Sequence, residues 1–367
     1  MKRLSVYAAI AVISCLFTIS CTDDAQGPTK VDATKWDKNP ESHFTSQRII
    51  PLETTDESLM GDIKRIKVYD DTYFILDSRN VIFRFDKDGK YLSKIARQGR
   101  GRGEYLDIRS IDVFEDEVYV LSSFEKKILT YSFDGEFLRE IGLDEQYFDM
   151  AVEDSYILLF SNNCNNSFKN YVKISRNGEI LDSWDDFITN TSFIQGGKFL
   201  NKQDGSIFYF KPFDYRIFEY DGKDSRQIAE FDFTNNKRYP QSDMEDIVAF
   251  NDMVRNTQYV KQFNSAAMIG NKLVVTYSMF LDGYGIKDFI VINDLNANKC
   301  YNYCLQEQGL CSTPFPGYGY YLCGKALITY SSASGFIIAN GEKLDKEILS
   351  KISPEGNPVL MRFEFNN

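Results

Sequence analysis

From about residue 45 onward the chain is a succession of short apolar runs separated by clusters of Asp, Asn and Gly. Residues 63–95 show the unit. Ile63, Ile66 and Val68 come first, followed by the turn Asp70-Asp71. Then come residues 73–76 with a turn at 77–80, residues 81–85 with the turn Asp86-Lys87-Asp88-Gly89, and residues 91–95. Alternation of this kind, with turn formers between runs, predicts four short strands. The unit recurs over residues 111–141, again ending at 172–184, then over 207–233 and 273–305. The turn glycines Gly89, Gly135, Gly178 and Gly222 stand 46, 43 and 44 residues apart.

A period of this length with four strands per unit predicts an all-β, six-bladed β-propeller. One four-stranded sheet cannot bury both faces, so the units must stack around an axis. Five are readable. Residues 320–322, 326–330 and 358–365 supply three strands of the sixth, with a helical piece over 344–352 between them. The fourth is expected from residues 47–52, closing the ring by pairing the two ends of the chain. Seven blades are the alternative count. One insertion breaks the period. Over residues 238–262, Ser242-Asp-Met-Glu245 reads as a capping box before a loose apolar stripe, which predicts a helix.

The N-terminus has a different pattern. Lys2-Arg3 precede an apolar run from Leu4 to Ile19, then Ser20-Cys21-Thr22-Asp23-Asp24. The run is too short to span a bilayer, which takes ~20 residues, and reads as a secretory signal. Cys21 after Ser20 resembles a bacterial lipobox. Cys15 fits that pattern better residue by residue, but cleavage there would leave the apolar residues 16–19 on the mature chain. The expected organisation is a signal peptide over 1–20, a tether over 21–45 and the propeller over 46–367. Asp23-Asp24 is similar to the export signal of Bacteroides-type surface lipoproteins. That resemblance implies lipid anchoring at the outer membrane with display at the cell surface, or otherwise in the periplasm.

Composition narrows the function classes. Fifty-three acidic residues against 42 basic leave a net charge of −11, the wrong sign for a nucleic-acid binder. A single histidine, His43, argues against a Ser-His-Asp triad and His-rich metal chemistry. Neither catalytic nor metal-binding residues are assigned. Cys300 and Cys304 would lie about 13 Å apart in an extended run, too far for a disulfide. Cys304 or Cys311 could pair with Cys323. The Asn-rich residues 162–166 read as a solvated loop.

Tyr73-Phe-Ile-Leu-Asp-Ser-Arg-Asn80 followed by Ile82-Phe-Arg-Phe-Asp-Lys-Asp-Gly-Lys-Tyr-Leu92 resembles an NHL-type propeller repeat. Ile50-Pro-Leu-Glu53, Gly99-Arg-Gly-Arg-Gly-Glu-Tyr105 and Gly356-Asn-Pro-Val-Leu-Met361 make residues 46–367 similar to the six-bladed propeller lipoproteins of Bacteroidota. That resemblance implies an envelope binding protein working in nutrient (glycan) capture or envelope assembly. The alternative is a hydrolase or lactonase of the six-bladed type, with calcium held by Glu, Asn and Asp in the central channel.

Two groups of residues are candidates for ligand binding. Arg97, Arg100, Arg102 and Arg109 form a basic cluster in an acidic chain, suited to carboxylates and phosphates. The loop Thr313-Pro-Phe-Pro-Gly-Tyr-Gly-Tyr-Tyr321 offers Tyr318, Tyr320 and Tyr321 for stacking on sugars or gripping a protein. The reading is therefore a monomeric binding module for a protein or carbohydrate, with no nucleic-acid partner.

Overall fold

The computed structural model describes residues 27–187, 199–211, 214–234, 260–281, 285–307, 319–342 and 344–366. Apart from the edge strand β1 (Thr29–Val31), the strands fall into six four-stranded antiparallel sheets. The first blade is β3 (Ile63–Tyr69), β4 (Thr72–Asp77), β5 (Ile82–Phe85) and β6 (Tyr91–Ile95). The second is β7 (Ser110–Phe114), β8 (Glu117–Ser122), β9 (Lys127–Ser132) and β10 (Phe137–Gly142). The third is β11 (Asp149–Val152), β12 (Tyr156–Phe160), β13 (Lys169–Ser175) and β14 (Ile180–Asp186). The fourth is β15 (Leu200–Gln203), β16 (Ser206–Phe210), β17 (Arg216–Tyr220) and β18 (Ser225–Phe233), and the fifth is β19 (Val260–Ile269), β20 (Lys272–Leu281), β21 (Gly285–Asp294) and β22 (Lys299–Cys304).

The sixth blade draws on both ends of the chain. Its order is β2 (Phe44–Pro51), β25 (Val359–Phe365), β24 (Ala326–Ser331) and β23 (Tyr320–Cys323). Each inner strand touches the next, from β3 through β7, β11, β15 and β19 to β23, and β23 touches β3. The ring is therefore closed, and the expected six-bladed propeller with terminal strand closure is observed. β2 pairs with β25 from Phe44 opposite Phe365 to Pro51 opposite Val359. Ile50 and Leu52 are buried beside Leu360 and Ile328 in the core between the sixth and first blades. Proline at the end of an outermost strand removes no ladder bond that the sheet needs.

The periodic glycines have two jobs. Gly89, Gly135, Gly178 and Gly222 all have φ between +85° and +95°, apart from Gly135 at +84°. Only glycine adopts that region without cost. Three of these turns also press on the blade before them. A methyl group at Gly89 would meet the Pro51 carbonyl oxygen at 2.3 Å, one at Gly135 the Lys94 carbonyl oxygen at 2.9 Å, and one at Gly178 the Ile141 side chain at 2.8 Å. The period in the sequence is thus also a record of blade-to-blade contact.

Part of the expected tether is folded onto the propeller. β1 adds to blade four parallel to β18, with Val31 opposite Phe233. Val31 and Ala33 are buried, and Trp36 packs edge-on against Phe289 of blade five at 5.8 Å between ring centres. Asp37 and Asn302 exchange bonds: the Asp37 amide donates to the Asn302 carbonyl (2.6 Å) and the Asn302 amide to the Asp37 carboxylate (2.9 Å). A 3-10 turn, Pro40–His43, then brings His43 Nε2 to 2.9 Å from the Tyr303 hydroxyl. Residues 29–43 therefore form a belt over the rim of blades four and five that leads into β2. The polar composition of the stretch hid this, because only Val31, Ala33 and Trp36 carry its apolar contacts.

Other expectations are corrected. Most of the helix expected over 238–262 lies outside the described residues, but its last three residues open β19. Besides the expected helical piece, seen as Lys346–Ser350 (α2), a further helix, Ala333–Asn340 (α1), fills the β24–β25 connection, capped by Ser332 and packed through Phe336. The 162–166 loop is not solvated. Asn162, Asn163 and Asn165 are buried, with Asn165 bonded to the Lys169 carbonyl and the Asn163 amide donating to the Asn170 side chain. No disulfide joins Cys304 to Cys323, and Cys164, Cys300 and Cys304 are thiols, as the free-thiol reading of these cysteines expects, while Cys311 lies outside the described residues.

Two outcomes follow. A chain beginning at Leu52 loses β2 and exposes the edge of β25. It should aggregate and melt well below the full chain, and monomeric behaviour with unchanged melting would disprove closure by β2. His43 has its pKa lowered by burial first and by Lys272 second, against the smaller opposing pull of Asp294 and Asp37. A lowered histidine pKa favours the neutral form in the folded state. Its contribution is intact above about 6.5 and is lost as pH falls from there through the folded pKa. Melting curves of His43→Gln and the unaltered chain should converge below that window and separate above it.

Candidate functional site

The inner strands place a ladder of polar side chains across the axis. Arg65 of β3 sits 2.6 Å from Asp149 of β11 and 2.9 Å from the Ser110 hydroxyl of β7, which itself donates to Asp149 at 2.7 Å. The Leu200 amide, opening β15, also donates to Asp149 at 3.2 Å. One tier therefore joins blades one to four. A second tier lies further along the same strands. Asp112 of β7 stands between Lys67 of β3 (3.1 Å) and Lys202 of β15 (3.2 Å) and accepts from the Val152 amide (2.8 Å). Lys202 uses its remaining donors on the carbonyls of Val113 and Val152.

The ladder continues around the ring through neutral inner-strand side chains, ending at Tyr320, whose hydroxyl also donates to the buried Asp288 of β21 at 3.3 Å. The Ser265 hydroxyl donates to Asn201 at 2.6 Å, the Met268 amide to Gln203 at 3.0 Å, and Asn264 to the Tyr320 hydroxyl at 2.6 Å. These residue types occupy the inner strands because propeller inner strands converge on an axis too narrow for a second apolar layer. Polar groups there must satisfy one another.

Electrostatics follow from the geometry. Asp112 and Asp149 are almost wholly buried. Burial pushes the Asp112 carboxyl up, but Lys202, Lys67 and the Val152 amide together outweigh it and hold its pKa at about 2. A cavity of about 90 Å³ lies beside this tier, bounded by Arg65, Lys67, Asp112, Asn201 and Lys202 on one side and by Tyr321 and Cys323 of β23 on the other. Both axial carboxylates are committed to cations and amides. Among the described residues no group of three or more His, Cys, Asp or Glu side chains is placed to hold a metal. The two described axial carboxylates, each already bonded to cations and amides, do not form the converging cage that calcium takes.

The arginines are separated in role. Arg97 donates to the Gly135 carbonyl at 2.8 Å and lies 3.6 Å from Glu136, tying the end of blade one to blade two. Arg109 is exposed, lies 4.6 Å over the Phe148 ring and directly precedes Ser110, at the end of the channel where the inner strands begin. Arg100 and Arg102 lie on the loop between blades one and two. That loop is closed on itself. The Gly101 amide donates to the Glu104 carboxylate (2.8 Å), the Glu104 amide to the Gly101 carbonyl, and the Gly99 amide to the Tyr105 carbonyl. A methyl group at Gly99 would strike the Glu104 carboxylate, and one at Gly103 (φ +71°) would meet the Phe137 ring at 2.5 Å. Gly103 is thus required by its φ and by the Phe137 ring, and the Glu104 carboxylate occupies the Gly101 amide that a phosphate cradle would offer.

The aromatic loop is not borne out as an exposed platform where it is described. Tyr320 and Tyr321 belong to β23 and are buried, with Tyr320 bonded to Asn264; Tyr318 lies outside the described residues. Cys21 also lies outside them. Reading the sequence alone missed the axial tiers. Their only local trace is a charged or polar residue inside an inner-strand run, as in Ile63-Lys-Arg-Ile-Lys-Val68 and Ser110-Ile-Asp-Val113.

A family model described as "Domain of unknown function (DUF4934)" matches residues 29–364. Among solved structures, the chain is similar to a protein from Bacteroides fragilis described as exported, with a TM-score of 0.77 at 18% identity over 93% of this chain and 99% of the other. It is also similar to a DUF4221 family member from Bacteroides vulgatus, with a TM-score of 0.56 at 10% identity over 88% of this chain and 97% of the other. A search of curated proteins gave no match.

Asp112→Asn should cost about 3–5 kcal/mol, because Lys67 and Lys202 lose their shared counter-charge. In the unaltered chain the depressed Asp112 pKa supplies stability on the order of 2 kcal/mol that is present above about pH 4 and lost as pH falls through about 2. Urea denaturation across that range should show the acid loss in the unaltered chain and a smaller one in Asp112→Asn. An unchanged midpoint in the variant would remove the tier from the stability account.

Proposed function

The chain belongs to the DUF4934 family, and from that premise we propose that it is a monomeric, lipid-anchored envelope protein whose propeller binds an acidic ligand at the outer membrane. The observation that carries this reading is the loop of residues 99–104. Its glycines and Glu104 lock the backbone, and Arg100 and Arg102 project from it exposed. Neither arginine makes an ion pair among the described residues; Arg102 lies 5.8 Å from the Phe137 ring. In an acidic chain, exposed cations on a preorganised loop suit recognition of carboxylates. Folding does not need them, since Arg97 already makes the contact between blades one and two.

The secretory signal and Cys21 support the address, and the exported description of the similar B. fragilis protein agrees with it. Arg109 contributes at the neighbouring channel mouth. A carboxylated glycan captured as nutrient is the ligand class that best suits cationic contacts where Tyr320 and Tyr321 are buried.

Replacing Arg100 and Arg102 with Gln should leave the circular dichroism and melting unchanged. It should weaken binding of polygalacturonate by ~1.5–3 kcal/mol for each charge-assisted bond lost, and the difference should shrink at high salt. Isothermal titration at low and high salt reads this. Equal binding by both proteins would reject the loop as the site. Cys21→Ala should remove the protein from the membrane fraction, and retention of its lipid would reject that anchor.

A further inference from the structure

The axial tiers contain more cationic than anionic charge. Arg65, Lys67 and Lys202 face Asp112 and Asp149, so three buried or nearly buried cations share two carboxylates. Arg65 and Asp149 satisfy each other. Asp112 is shared by the two lysines, which leaves one positive charge without a counter-charge. Glu153, in the β11–β12 turn, is a further acid close enough to feel Lys202 and Asp112. It senses Lys202 but makes no ion pair with it, and burial raises its pKa, which favours the uncharged form. Charge left unpaired inside a protein is costly.

The spare capacity belongs to Lys67. Lys202 donates to Asp112 and to two carbonyls, whereas Asp112 is the one partner of the Lys67 ammonium among the described residues. An ammonium carries three donors. Lys67 lines the 90 Å³ cavity together with Arg65, Asp112, Asn201 and Lys202. That volume admits several waters or one small polyatomic group. The cavity lies where β3 and β23 end, and Val68, Tyr69, Cys323 and Gly324 there are partly or fully exposed, so solvent reaches it. This is the end of the channel opposite Arg109, which precedes β7, so the cavity is separate from the arginine loop.

We propose that the axial cavity binds a small oxyanion, a phosphate or carboxylate group, seated against the Lys67 ammonium. The group supplies the missing negative charge and accepts the unused Lys67 donors. Asp112 keeps the two lysines apart and holds Lys67 at the cavity wall. Because the ladder joins blades one to four, an occupied cavity also stabilises the ring at its axis.

Thermal unfolding of the full chain in phosphate, acetate and chloride at equal ionic strength tests this. Phosphate, acetate or both should raise the melting temperature in the manner of one saturable site, with chloride ineffective. The more effective anion identifies the group. Isothermal titration with that anion should show at least tenfold weaker binding for Lys67→Gln, and unchanged binding for the Arg100→Gln/Arg102→Gln protein. The proposal is overturned if the three salts act alike, or if Lys67→Gln binds as the unaltered chain does. Should Lys67→Gln not fold, the comparison with chloride on the unaltered chain decides alone. Failure here leaves the arginine loop standing, and failure of polygalacturonate binding leaves the axial cavity standing.

Discussion

Closure of the sixth blade by β2 is the constraint on which the other contacts depend. Each blade buries its two faces only against its neighbours, so an open ring would leave two sheet faces in water. The ladder between β2 and β25 prevents this by setting residues more than 300 positions apart opposite each other, such as Gln47 with Phe363 and Ile50 with Leu360. Arg362 adds contacts across the seam to the Tyr73 hydroxyl and to Asp71. The belt of residues 29–43 extends this closure outward, because it fastens the chain to blades four and five before it enters blade six. An envelope anchor at Cys21 would therefore join the propeller at the rim of those blades.

The axis has a different physical problem. Apolar side chains fill the space between blades, where rings such as Tyr277 and Phe289 stack at 5.0 Å. Inner strands approach one another too closely for a further layer of that kind, and their polar side chains bond across the axis instead. The charged half of this ladder lies on blades one to four and the neutral half on blades four to six. The cavity beside Lys67 falls where the charged tier meets β23.

The glycine-rich loop between blades one and two shows how a sequence motif can mislead about chemistry while being right about necessity. Gly103 is there to admit Phe137, and Gly101 gives its amide to Glu104. The loop binds its own carboxylate and leaves the intervening arginines outside. The function proposed for it rests on those side chains and on none of its backbone amides.

Strand alternation, turn glycines and their spacing were sufficient to read six blades, the strand supplied from the N-terminus and the helical interruption in the last blade, because each is written in residues a few positions apart. The arginines of the candidate loop were legible for the same reason, as a cluster of one charge in a chain of the other. The belt was not legible, since three apolar residues among polar ones carry no period. Nor was the burial of Tyr320 and Tyr321, which Gly317 and Gly319 beside them disguised as loop residues. The axial tiers were least accessible of all. Arg65 meets Asp149 across 84 positions, and Lys202 meets Asp112 across 90. No local pattern relates such residues. Local sequence sets which residues form strands and turns. Which charges meet at the axis is decided only when the ring closes and brings strands from different blades within hydrogen-bond distance.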